Sequence, residues 1–169
     1  MRRMDHRSHT WIRRRLRSLA WLELLNIPLQ AMIWFVAVGF PLTTVNIVGF
    51  GLTALLLLEG AAYWRAKRRR LDTGRKTLPG AGAFTVARWG NVAVLTAGLL
   101  VILRGVVTDP GVGSWPGLVF GLFAFLEHVN YFHVQLMYDT AEDLRYLRTR
   151  GLRRAHLARD LALYARTRA

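Results

Sequence analysis

Apolar residues in this chain fall into four long runs, at about 19–40, 44–64, 89–107 and 117–137. A helix needs about twenty such residues to cross the hydrocarbon core of a bilayer. Each run therefore predicts a membrane-spanning helix, the third being weakened at its end by Arg104. "FPLTT" after the first run and "TDPGVGSWPG" after the third read as short Pro/Gly connectors. The connector at 65–88 is longer and basic. Residues 1–18 form a basic N-terminal segment, and residues 138–169 continue in a helical pattern with a break expected at Gly151. In that tail Leu157, Leu161 and Tyr164 stand at i, i+4 and i+7 among arginines. The pattern predicts a basic amphipathic helix lying on the cytoplasmic membrane surface. The expected fold is thus all-α: a polytopic four-helix transmembrane bundle with a basic helical tail.

Charge orders these spans. The chain carries 24 Lys+Arg against 10 Asp+Glu, yet 53% of its residues are hydrophobic. The two facts fit together because charge and apolar residues occupy different segments. The N-terminal segment holds seven arginines, the 65–88 connector eight Lys/Arg and the tail eight, while the two short connectors hold none. Positively charged segments stay on the cytoplasmic side. All three basic segments should therefore share that side, giving an even number of crossings and two cytoplasmic termini in a plasma or inner membrane. Anionic lipids are the expected partners of such segments, and nucleic acid is not. "TGRKT" at 73–77 lacks the Gly-Lys-Ser/Thr of a phosphate-binding loop. Without cysteine, disulfides and thiolate metal sites are excluded. The first run is too long for a signal peptide and ends without a cleavage site.

Polar residues inside the runs carry the candidate chemistry. Depth counting at 1.5 Å per residue brings Glu23, Asn26, Glu59, Tyr63, Arg88, Asn91, Glu127, His128, Asn130 and Tyr131 toward the cytoplasmic leaflet. Glu23, Asn26 and Gln30 share one helical face. The first and fourth runs both read Leu-Glu-x-x-Asn, as "LELLN" and "LEHVN". A charged side chain near a span centre costs roughly 2.5–3.5 kcal/mol, so three glutamates would together cost on the order of 8–10 kcal/mol. They must be protonated, paired or hydrated. Arg88 is the best placed fixed cation for that purpose.

These residues predict a buried carboxylate, amide and imidazole site that binds a cation or a lipid-like ligand. Glu23, Glu59, Glu127 and His128 are candidate ligands of a divalent metal. Glu127 and His128 are candidate acid–base partners if the chain is an enzyme, although no zinc-protease motif or nucleophilic triad is present. A non-catalytic subunit, with polar residues fastening helices together, is the alternative. Gly117 and Gly121 form a G-x-x-x-G pair suited to close helix approach, in which a homo-oligomer could be joined.

Overall fold

The computed structural model describes residues 2–137, 145, 147–149 and 151–167, with side chains described from Thr10 onward. Helix α1 (Arg2–Ala31) contains Pro28, which removes one helical hydrogen bond, and passes into a π-helical stretch at Met32–Ala37. Helix α2 (Thr44–Thr73) starts at Thr43, whose hydroxyl accepts the Asn46 N–H, and stops at Gly74 in the left-handed region. Helix α3 spans Ala81–Thr108, and α4 spans Trp115–Phe132 with Pro116 in its first turn. Gly151 is left-handed, and a last helix, α5, covers His156–Arg166.

Three of these helices are long and apolar enough to cross a membrane: α1 with its π-helical extension, α2 and α3. The protein is an integral membrane protein. The helices outrun the apolar runs because the flanking residues are arginine- and alanine-rich and continue the same backbone hydrogen bonding. Helix α4 is shorter than the expected 117–137 span and ends at Phe132. Its exit is fixed by Asn130, whose side-chain oxygen accepts the N–H of Leu136 at 2.8 Å. The backbone then pairs with the tail, Gln135 N–H to Arg153 O at 2.8 Å and Ala155 N–H to His133 O at 3.1 Å.

Helix α2 is the hub, packed against α1, α3 and α4, whereas α1 packs chiefly along α2 and leaves most of its surface outward. The α2–α4 approach is closest. A Cβ on Gly49 would collide with the Gly117 carbonyl, and one on Gly117 with the Val45 carbonyl. The Gly117/Gly121 face expected to join two copies is thus occupied within the chain, Gly117 by α2 and Gly121 by Ile102 and Leu99 of α3. At this end of the molecule Asn46 staples the connectors. Its Nδ2 donates to Pro41 O and Val112 O at 2.9 and 3.0 Å, and its Oδ1 accepts Gly117 N–H at 2.8 Å.

The opposite end gathers the basic segments. Arg13 pairs with Asp72 at 2.9 Å, tying α1 to the end of α2. Helix α5 docks across the ends of α2, α3 and α4 with Leu157 and Leu161 in a core with Tyr63, Leu78, Phe84 and Phe132. Its Asp160 accepts from Tyr63 Oη at 3.0 Å and Arg70 Nη1 at 2.8 Å, and pairs also with Lys67. The apolar face predicted to lie on the membrane surface is therefore covered by the protein's own bundle. The hydrophobic spacing was right; its counterpart is protein.

Candidate functional site

Because α1 packs chiefly along α2, a cleft remains between α1 and α4. Two cavities occupy it. The larger, about 600 Å³, is apolar and is lined by Trp34 and Phe40 from the first hairpin and by Trp115, Val119, Phe120 and Phe123 from α4. Along its α1 wall the expected polar stripe is present. Asn26 Oδ1 lies 3.4 Å from Gln30 Nε2, and Gln30 Oε1 accepts from the Trp34 indole N–H. The smaller cavity, about 390 Å³, lies toward the basic end and is lined by Glu23, Trp64, Asn130 and Tyr131, with His156 and Leu157 of α5.

Glu23 lines the smaller cavity, and a second acid, Glu127 of α4, stands within reach of it. Tyr131 Oη donates to Glu23 Oε1 across the α1–α4 gap. Gly60 makes this possible: a Cβ there would collide with the Tyr131 hydroxyl and press on Glu23 Oε1 at 3.2 Å. Glu127, one helical turn before Tyr131, lies within electrostatic reach of Glu23 and is 3.5 Å from Asn130 Nδ2. Neither Glu23 nor Glu127 has a Lys, Arg or His partner among the described residues. The Trp64 indole N–H lies by the same pair, outside hydrogen-bond geometry. The two acids within reach of each other are those of the two Leu-Glu-x-x-Asn segments.

Other predicted members are elsewhere. Glu59 accepts from Asn91 Nδ2 at 2.6 Å, a fastening of α2 to α3, and does not join Glu23 and Glu127. The expected convergence of three carboxylates is thus reduced to two, because Glu59 and Gly60 are neighbours on α2 and point to different helices. Tyr63 serves Asp160 rather than a ligand. His128 is buried, with Phe132 at 5.0 Å, His133 at 5.5 Å and Arg88 nearby, and both its ring nitrogens lack hydrogen-bond partners. It faces away from Glu127, so adjacency in sequence does not make the expected acid–base pair. Arg88 neighbours the two histidines and stacks over Trp89 at 5.5 Å, leaving Glu127 without its expected cation.

The four candidate metal ligands Glu23, Glu59, Glu127 and His128 are not assembled into one group. Among the described residues no group of three or more His, Asp or Glu side chains comes together. What remains is Glu23 in the wall of the smaller cavity, with Glu127 in electrostatic reach and the Asn26–Gln30 stripe leading along α1 to the apolar cavity. Sequence reasoning missed the cleft's aromatic wall, Trp34, Phe120 and Phe123, since aromatic residues in a span read as ordinary lipid-facing surface. No protein-family model matches the chain, and no curated protein or solved structure is detectably similar to it.

Proposed function

We propose that the protein binds a lipid-like amphiphile within the membrane. The apolar portion occupies the cleft between α1 and α4, and a protonated amine or similar cationic donor meets Glu23 and Glu127. One observation carries this reading: two acids from separate helices lie within electrostatic reach of each other without an ion-pair partner among the described residues, and the Asn26–Gln30 stripe on α1 leads from Glu23 to the apolar cavity. Unpaired acids at membrane depth cost several kcal/mol, and a bound cation recovers part of that cost. In this reading both termini face the cytoplasm, following the distribution of basic residues.

The experiment compares hexadecylamine with chain-matched hexadecanol on the detergent-solubilised protein, read by tryptophan fluorescence, since Trp34 lines the apolar cavity and Trp64 the one at Glu23. The amine is expected to bind more tightly. A charged hydrogen bond contributes about 1.5–3 kcal/mol, so Glu127→Gln should weaken amine binding about tenfold or more and leave the alcohol unchanged. Val119→Trp, which fills the cleft, should weaken both. Equal binding of amine and alcohol, or amine binding indifferent to Glu127→Gln, overturns the proposal. Binding of magnesium or zinc that competes with the amine would assign the acids to a metal instead.

A second reading rests on Glu59–Asn91 and the Tyr131–Glu23 bond, both of which join helices. Here the polar groups are fasteners in a non-catalytic subunit. It is favoured if neither amphiphile binds while Tyr131→Phe lowers thermal stability.

A further inference from the structure

A third cavity, of about 630 Å³, opens at the basic end between α1, α2 and the start of α3, away from the acids. Four arginines line it: Arg17 from α1 and Arg65, Arg68 and Arg69 from α2. Arg68 lies 3.6 Å from Asp72, which is shared with Arg13. Arg17, Arg65 and Arg69 have no carboxylate partner among the described residues. Three guanidinium groups without a carboxylate around one concavity raise its positive potential and draw an anion toward it.

Two further features point the same way. Pro79 and Gly80, which precede the first turn of α3, form part of the wall. Helix α3 has 28 residues, no acidic residue in its first turn and no side-chain cap, so its partial positive charge adds to that of the arginines. Trp21 also lines the cavity, with Arg65 stacked over its ring at 6.0 Å. Tryptophan with arginine at the end of an apolar run marks the headgroup level of a bilayer.

The surface below the cavity decides between a lipid and a dissolved anion. Leu25 stands one helical turn from Trp21 on α1, and Leu58 two turns from Arg65 on α2; both are exposed, at 58% and 50%. A lipid whose phosphate sits among the arginines would run its acyl chains over these leucines. A free phosphate would have no use for them. We infer that this cavity is a specific site for the phosphate of an anionic phospholipid drawn from the leaflet that faces the basic end. Arg65 and Arg69 hold the phosphate, and Trp21 marks the glycerol level. The site is separate from the α1–α4 cleft and does not depend on what that cleft binds.

Native mass spectrometry of the purified protein with phosphatidylglycerol or phosphatidylcholine of identical chains tests this. An arginine near an anionic lipid is worth about 1 kcal/mol, or roughly fivefold in affinity. Arg65→Gln with Arg69→Gln should therefore lower phosphatidylglycerol affinity roughly twenty-five-fold. Arg75→Gln with Lys76→Gln removes the same charge from the same connector outside the cavity and should leave affinity near that of the unmodified chain. Arg65→Lys with Arg69→Lys should recover much of the loss, which separates lost contact from lost folding. Equal losses in the two neutralised pairs, or equal retention of the two lipids, overturns the site. If millimolar inorganic phosphate displaces the lipid, or glycerophosphoglycerol binds as tightly as phosphatidylglycerol, the ligand is a soluble phosphate and the lipid assignment falls.

Discussion

Asn46 has no exposed surface and commits its side chain to two carbonyls and one backbone N–H drawn from both short connectors. Truncating it orphans the buried Gly117 N–H and leaves two part-buried carbonyls without this donor, a buried unpaired group costing about 1–3 kcal/mol. Asn46→Ala is therefore expected to cost about 1–3 kcal/mol, seen as a clear fall in melting temperature in detergent; an unchanged melt would show that water replaces the amide. His128 predicts the opposite sign. Its ring is buried with neither nitrogen bonded, so His128→Leu should leave the melting temperature unchanged or raised, and a fall would reveal an unseen partner. Both behaviours were hard to read from sequence. The glutamates stood out because a charge in an apolar run is costly wherever it points. An asparagine at the start of a run looks like an ordinary helix entry, and a histidine beside a glutamate looks like its partner. The Leu-Glu-x-x-Asn pair was legible as a pattern, and in the fold its two acids come within electrostatic reach of each other.

At the scale of elements, helix contacts depend on residues whose value is their smallness. Gly49 lies against the backbone of Gly117, which cannot yield as a side chain can. Gly49→Ala should force α2 and α4 apart and cost at least the 1–3 kcal/mol of an overpacked core, whereas Gly51→Ala, with open space around it, should be neutral; equal effects on unfolding would contradict this packing. Helix α5 was legible as an amphipathic segment but not in its target. Only the folded chain shows that Tyr63, Lys67 and Arg70 surround Asp160. Docking also acquires a pH dependence through His156, pushed down to about 4 by burial first and then by Arg159, Lys67 and Arg153, against the opposing Asp160. An undocked helix has a histidine near 6.5, which takes up a proton that the docked one refuses. Docking is thus fully supported above about pH 6.5 and weakens as pH falls toward 4. Hydrogen exchange across 156–166, corrected for its intrinsic pH dependence, should report loss of protection over that window. His156→Leu should flatten the response, and Asp160→Asn should lower protection at every pH. A pH response unchanged in His156→Leu would remove the histidine from the account.

The whole molecule raises a question of counting. Three helices satisfy the length and hydropathy of a span, while α4, at 18 residues, measures about 27 Å against a hydrocarbon core of about 30 Å. Its polar second half makes it a marginal span alone. Yet α4 lies along α2 for its whole length, and the segment that follows it is held at the end where Arg13 meets Asp72 and Asp160 meets Arg70. All three basic segments are thus at one end, with Asn46 and its connectors at the other. If that arrangement sits in a bilayer, α4 crosses because its neighbours supply the packing that its composition lacks. The chain has no cysteine, so every introduced cysteine is a unique reporter. With a membrane-impermeant thiol reagent on intact cells, Leu42→Cys and Gly111→Cys should be labelled from outside. Thr77→Cys and Thr167→Cys should be labelled only after the membrane is opened. Labelling of Thr167→Cys from outside, with Thr77→Cys still protected, would mean that the tail and the long connector lie on opposite sides. The docking of α5, and the cavity it helps to close over Glu23, could not then exist in the membrane.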